Sequence, residues 1–133
     1  MTDKRITTQG KRKRAIARAT IKPGRGRVTI NRVDLDVYEP RLYRLRILEP
    51  VILAGEVGMQ VDINVVVTGG GQSSQADAAR LAIGKALAAY HPKLKKVLLD
   101  YDRQLLVADV RRKEARKPGR HGKARAKRQK SYR

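Results

Sequence analysis

The sequence predicts a small α+β domain with a basic extension at each end, and three observations carry that prediction. Val61, Ile63, Val65 and Val67 alternate with Gln60, Asp62, Asn64 and Thr68, the period of a half-buried strand, and only Val66 breaks the pattern. Beyond Gly69-Gly70-Gly71, the residues Ala76, Ala79, Ile83, Leu87 and Tyr90 recur at helical spacing. The net charge of +20 is confined to the ends: residues 28–110 hold ten Lys/Arg against ten Asp/Glu, residues 1–27 hold ten against one, and residues 111–133 hold twelve against one. The expected organisation is a folded domain over residues 1–110, entered by a basic run, and an extended basic tail over residues 111–133. A neutral body with two cationic ends points to a targeted polyanion contact rather than to solubility by repulsion.

In chain order, Lys11-Arg12-Lys13-Arg14 leads into a predicted strand. There Ala15, Ala17, Ala19 and Ile21 make a small apolar face, and Arg14, Arg18, Thr20 and Lys22 a mostly basic one. Pro23-Gly24-Arg25-Gly26 is turn chemistry. With Val28 and Ile30 beyond it, Arg14–Asn31 reads as a hairpin carrying Arg25 and Arg27 at an exposed tip. Tyr38-Glu39-Pro40 reads as a helix start, with Leu42, Leu45, Ile47 and Leu48 along one side. Glu49-Pro50 is expected to break that helix, and Gly55 to end the turn that follows. After the strand over Val61–Val67, Ser73 or Ser74 is expected to cap a helix running to Tyr90, which His91-Pro92 terminates. Asp77, Arg80 and Gly84 fall on that helix opposite the apolar stripe. A short helix around Lys93–Tyr101 and a strand near Leu105–Val107 complete the body.

The tail Arg111–Arg133 has no aliphatic side chain larger than Ala, so it cannot bury enough apolar surface to offset the entropy of ordering. It is expected to be disordered without RNA and to order against a polyanion. Pro118-Gly119 and Gly122 interrupt any helix begun at Arg111. Alternation in Lys123-Ala124-Arg125-Ala126-Lys127 favours an extended chain with its charges on one side.

Catalytic patterns are absent. There is no Cys, and His91 and His121 stand far apart without metal-ligand spacing, so no metal or cofactor site is predicted. Asp100 and Asp102 are an isolated carboxylate pair. No apolar run approaches membrane-spanning length, and no apolar segment follows Lys4 and Arg5 as a signal peptide requires. Gly69-x-Gly71-x-x-Ser74 approaches a dinucleotide fingerprint, but its third glycine is missing and no further βαβ units follow. Backbone N–H groups at the helix start receiving an RNA phosphate are favoured over a plain tight turn, and both over an enzyme phosphate site. Tyr is the only aromatic, five in all, and no strand presents an RNA-recognition aromatic pair. These residues leave open a ribosomal component, a DNA-compacting protein and a polyanion-coating factor.

A resemblance goes further. Gly10-Lys11-Arg12-Lys13-Arg14-Ala15-Ile16-Ala17-Arg18, then Pro23-Gly24-x-Gly26 and Ile30-Asn31, resembles the opening of the ninth small-subunit ribosomal protein family. Val65-x-Val67-x-Gly69-Gly70-Gly71-x-Ser73-x-Gln75-Ala76 with Ala86-Leu87 is similar to its second block. The ending Lys130-Ser131-Tyr132-Arg133 resembles the archaeal and eukaryotic branch, whose eukaryotic members are small-subunit protein sixteen. Ser74 departs from bacterial members, which usually have Gly there.

The resemblance implies a two-layer α/β domain of the ribosomal protein S-five domain-two-like type, with a left-handed βαβ crossover. It implies a non-enzymatic, cytoplasmic constituent of the small-subunit head, with neighbouring head proteins, small-subunit ribosomal RNA and peptidyl-site transfer RNA as partners. Neither a membrane nor a small-molecule substrate is implied. Contacts with ribosomal RNA are expected at Lys11, Arg12, Lys13, Arg14, Arg18, Arg25, Arg27, Gly69, Gly70, Gly71 and Ser73. In the tail they are expected at Arg111, Arg112, Lys113, Arg116, Lys117, Arg120, Lys123, Arg125, Lys127 and Arg128. Lys130, Ser131, Tyr132 and Arg133 are expected to reach transfer RNA. A free architectural DNA-binding protein is the main rival, and an enzyme a more distant one.

Overall fold

In the computed structural model, which describes residues 4–119 and Ala124, five strands form one mixed sheet with helices on one face. The strands are β1 (Ile6–Arg12), β2 (Ala15–Pro23), β3 (Val28–Ile30), β4 (Val33–Asp34) and β5 (Val61–Thr68), in the order β1-β2-β5-β3-β4. The helices are α1 (Arg41–Ala54), the single turn α2 (Glu56–Met59), α3 (Gln72–Tyr90) and α4 (Leu94–Tyr101). Short 3₁₀ turns occupy Leu35–Val37 and Arg103–Leu105. The core lies between the sheet and α3, where Ala15, Ala17 and Ala19 of β2 meet Ala76, Ala78, Ala79, Ala82 and Ala86, all fully buried. Methyl-sized residues on both surfaces let helix and sheet approach closely, which is why so alanine-rich a chain still forms a dense interior.

The expected hairpin over Arg14–Asn31 does not form. β2 instead pairs antiparallel with β1 (Arg12↔Ala15, Gln9↔Arg18) and with β5 (Ala19↔Val65), while β3 lies parallel to β5 on its far side (Val28↔Ile63). The sequence concealed β1 because its inward residues, Ile6, Thr8, Gly10 and Arg12, show no apolar alternation. Thr8 and Gly10 are small because α3 lies directly on them: the Thr8 hydroxyl donates to the Ala82 carbonyl at 2.7 Å, and Gly10 is buried against the same helix. Arg25 and Arg27 are exposed, as expected of a tip, but in the loop joining β2 to β3. Asp62 organises that loop, its Oδ1 accepting from the Arg25 N–H at 3.0 Å and the Arg27 N–H at 3.1 Å.

Those two bonds hold the Asp62 carboxyl below the usual carboxylate range. A depressed folded-state value adds stability above the unfolded value, near about pH 4, and loses it as pH falls through the folded one. Asp62→Asn is therefore expected to flatten the loss of thermal stability between pH 6 and pH 3. An unchanged slope would remove Asp62 from the acid response.

α1 begins after Pro40, as expected, and Gly55, whose φ is 61°, ends the helix itself rather than a separate turn beyond it. It does not break at Pro50. That ring forfeits one backbone bond, yet it is fully buried on the same side as Ile47 and Ala54, and burial of this face carries the helix through. Leu42 and Leu45, expected along the packed side, are exposed, whereas Ile47 is buried and Leu48 partly so. The strand expected near Leu105–Val107 is absent. Leu105 closes a 3₁₀ turn and is fully buried.

That turn covers the side of α3 expected to face solvent. Gly84 is buried, and a Cβ there would lie 2.3 Å from the Leu105 carbonyl oxygen. Arg80 is enclosed by two acids, donating through Nη2 to Glu49 Oε2 at 2.6 Å and to Asp102 Oδ2 at 3.1 Å. Asp102, also fixed by the Gln104 N–H at 2.9 Å, is thus a structural carboxylate rather than a solvated one. Removing the guanidinium would strand two half-buried carboxylates beside the core. Arg80→Ala is expected to lower unfolding free energy by about 2 kcal/mol, below the range for fully buried pairs because both acids keep some water. Denaturant unfolding would check this, and a change under about 0.5 kcal/mol, typical of an exposed pair, would contradict it.

Candidate nucleic-acid interface

β5 ends at Thr68, and α3 begins at Gln72, so the glycines form the junction between them. Gly69 and Gly70 have φ of 77° and 67°, and a Cβ on Gly69 would sit 2.5 Å from the Arg14 carbonyl oxygen. These two glycines are required by the close approach of the β1–β2 turn. Gly71 has ordinary φ and open space around it, and it occupies the N-cap position of α3. No side chain caps this helix, which corrects the expected roles of Ser73 and Ser74. Gln75 closes the junction instead, its N–H donating to the Gly71 carbonyl at 2.9 Å and its side-chain amide to the Gly69 carbonyl at 3.1 Å. The uncapped first turn leaves amide donors and the positive end of the helix dipole for an anion.

A cleft of about 1130 Å³ lies against this helix start. Its walls are Lys13 and Arg14 from the β1–β2 turn, Gly70, Gly71 and Ser74 from the junction, and Arg111–Arg116 from the root of the tail. Three separately predicted pieces therefore converge on one surface. Residues 111–117 form neither helix nor strand and lie exposed along it.

An ion-pair network fixes the tail root. Asp109 accepts from the Arg111 N–H at 2.8 Å and from its guanidinium Nη2 at 2.8 Å, and it also pairs with Arg12. Arg12 in turn lies 3.7 Å from Asp77, which receives Arg46 at 3.2 Å. The Arg111 guanidinium foremost, then its N–H, holds the Asp109 carboxyl far below its ordinary range. Nothing in the local sequence announced Asp109 or Asp77 as parts of this site.

The predicted residues divide by position. Lys13, Arg14, Gly70, Gly71, Arg111, Arg112, Lys113 and Arg116 line the cleft. Arg12 is largely buried in its acid pairs, Ser73 lies 3.4 Å from the Arg46 guanidinium, and Lys117 pairs with Glu114 at 3.0 Å. Lys11 and Arg18 project from the opposite face of the sheet, by alternation with buried Gly10, Ala17 and Ala19. Arg25 and Arg27 stand at the far end of β2, roughly 25 Å from the cleft at strand rise. Arg120, Lys123, Arg125, Lys127, Arg128, Lys130, Ser131, Tyr132 and Arg133 lie outside the described residues. Among the described residues, no helix is long and apolar enough to cross a membrane.

Residues 10–133 match the family described as ribosomal protein S9/S16. The chain is 50% identical over 131 residues to small ribosomal subunit protein uS9 of Methanococcus vannielii, covering 96% of this chain and 98% of that one. Identity and coverage are the same for uS9 of Methanococcus maripaludis strain C5.

This chain belongs to the ribosomal protein S9/S16 family. The family is one of structural ribosomal proteins and not of enzymes, in keeping with a site built from cations and backbone amides. The S9/S16 match begins at Gly10, where β1 seats on α3, and spans the turn, the glycine junction and the tail root that form the cleft.

Proposed function

We propose that this protein is a structural constituent of the small ribosomal subunit, where it binds small-subunit ribosomal RNA through the cleft. Its basic tail continues from the cleft toward peptidyl-site transfer RNA. The observation that carries the RNA contact is the uncapped start of α3 set among Lys13, Arg14, Arg112, Lys113 and Arg116, with Glu114 the one acid on the lining. Fixed amides position a phosphate, and the surrounding cations supply salt-dependent affinity. Cytoplasmic ribosomes and neighbouring head proteins follow from the same reading. One sheet with helices on one face supports the S-five domain-two-like assignment. Co-migration with small subunits at moderate salt tests the placement. Exclusive recovery with free nucleic acid would favour the architectural DNA-binding alternative.

The transfer-RNA contact is assigned to Lys130, Ser131, Tyr132 and Arg133. Support comes from reach, since 23 extended residues span up to roughly 75 Å, and from chemistry, since Tyr offers a stacking ring and Arg a planar donor. Removing Ser131–Arg133 is expected to leave subunit assembly intact and to weaken peptidyl-site transfer-RNA binding several-fold. Truncated subunits that assemble and bind with unchanged affinity would refute this role.

A further inference from the structure

The face of the sheet turned away from the helices is uncovered, and its chemistry is uneven. Arg5, Lys11, Arg18, Lys22, Arg27 and Arg32 stand on it or at its rim, against the carboxylates Asp34 and Asp62. Both acids are engaged: Asp34 Oδ1 receives Arg27 Nε at 2.9 Å, and Asp62 Oδ1 serves the loop amides. Between the cations runs a polar row set by the register, Thr7↔Thr20, Thr20↔Asn64 and Thr29↔Asn64. The Thr29 hydroxyl donates to Asn64 Oδ1 at 2.9 Å, and the Thr7 and Thr20 hydroxyls lie 3.3 Å apart. The row opens into a depression of about 510 Å³ where Arg5, Lys22, Arg27 and Arg32 surround Thr20, Thr29 and Asn64.

A solvated antiparallel face ordinarily intersperses charges of both signs, because like charges on neighbouring strands repel. Here six cations face two acids, so positive charge stays in excess even though Lys22 stands opposite Asp62 in the register. We propose that this outer face is a second RNA-backbone docking surface, separate from the cleft, so that the domain is held from two sides. The occupant is a sugar–phosphate backbone rather than exposed bases, because among the described residues the face carries no aromatic ring on which a base stacks. Hydroxyl and amide groups flanked by cations suit phosphate and 2′-hydroxyl contacts. The inference rests on the ribosomal reading and extends it to a surface the cleft does not touch.

The test uses the full chain and small-subunit ribosomal RNA as probe. Arg18→Ser/Lys22→Ser/Arg32→Ser should reduce affinity roughly 10- to 100-fold and make the slope of log K against log salt less negative by roughly 2–3. Circular dichroism and thermal unfolding check that the variant folds. In parallel, amine-reactive labelling of Lys22 should fall when RNA binds the wild-type chain. An unchanged affinity and slope, with Lys22 still reactive, would overturn the proposal. Lys22 protected only in assembled subunits and not by RNA alone would also overturn it, identifying a protein occupant. Loss of binding in a Lys13→Ser/Arg14→Ser variant with no loss here defeats this inference alone, whereas loss in neither variant defeats the ribosomal reading beneath it.

Discussion

Gly10→Ala is expected to destabilise the domain by about 3 kcal/mol, near the upper end for overpacking, and to lower Tm by roughly 10 °C or more. The added Cβ would lie 2.3 Å from the Ala78 carbonyl oxygen and 2.7 Å from the Ala82 amide nitrogen. Both are backbone atoms of α3, so no rotamer change relieves the clash. β1 must lift from the helix, breaking the Thr8–Ala82 bond and exposing the alanine-lined core beneath. Gly69→Ala should also destabilise, since it combines a φ of 77° with a 2.5 Å approach to the Arg14 carbonyl oxygen. Gly71→Ala is the control, because its φ is ordinary and a Cβ there meets nothing within 4 Å. Thermal unfolding followed by circular dichroism separates them. Equal melting for Gly10→Ala and Gly71→Ala would mean that β1 is not seated on α3.

Deleting Arg111–Arg133 should have the largest effect on RNA affinity. The deletion removes twelve Lys/Arg and one acid, and with them one whole wall of the cleft. With about ten phosphate contacts, log K for the full chain should fall with log salt at a slope of roughly −7 to −9. Truncation should flatten that slope by about half or more and weaken binding to small-subunit ribosomal RNA by several orders of magnitude at low salt. The folded body should survive, because among the described residues of the tail none is buried in the core. Filter binding across a salt series measures both quantities. A slope indifferent to truncation would show that the tail is not the main electrostatic element.

What the sequence revealed followed the range of the interactions involved. β5, the glycine junction and the extent of α3 were legible because period-two and helical spacings are local signals. The start of α1 after Pro40 was legible from equally local turn chemistry. The partner of β2 was not, since β1 has no apolar alternation of its own and is specified by Gly10 and Thr8 meeting α3 some 70 residues later. Pro50 misled because local chemistry disfavours it in a helix, whereas burial beside Ile47 and Ala54 outweighs the lost bond. Of the site, the cationic pieces were legible by composition, but their grouping was not. Arg12 reaches Asp109 across 97 residues, a pairing at the root of the tail without sequence signature. Arg25 and Arg27 looked equivalent to Lys13 and Arg14 in the sequence, and only the length of β2 separates them.

The most direct measurement of the central claim is the affinity of the full chain for small-subunit ribosomal RNA after neutralising the cleft alone. Lys13→Ser/Arg14→Ser leaves the tail, the outer sheet face and the core untouched, and both side chains are exposed, so folding should be unaffected. Two lost phosphate contacts should make the salt slope less negative by roughly 2 and weaken binding at least 10-fold. A photo-crosslinker placed at Ser74 should then mark RNA in the wild-type background and lose most of that yield in the variant. Unchanged affinity and slope, with Ser74 crosslinking to no RNA, would contradict a cleft built to hold ribosomal RNA.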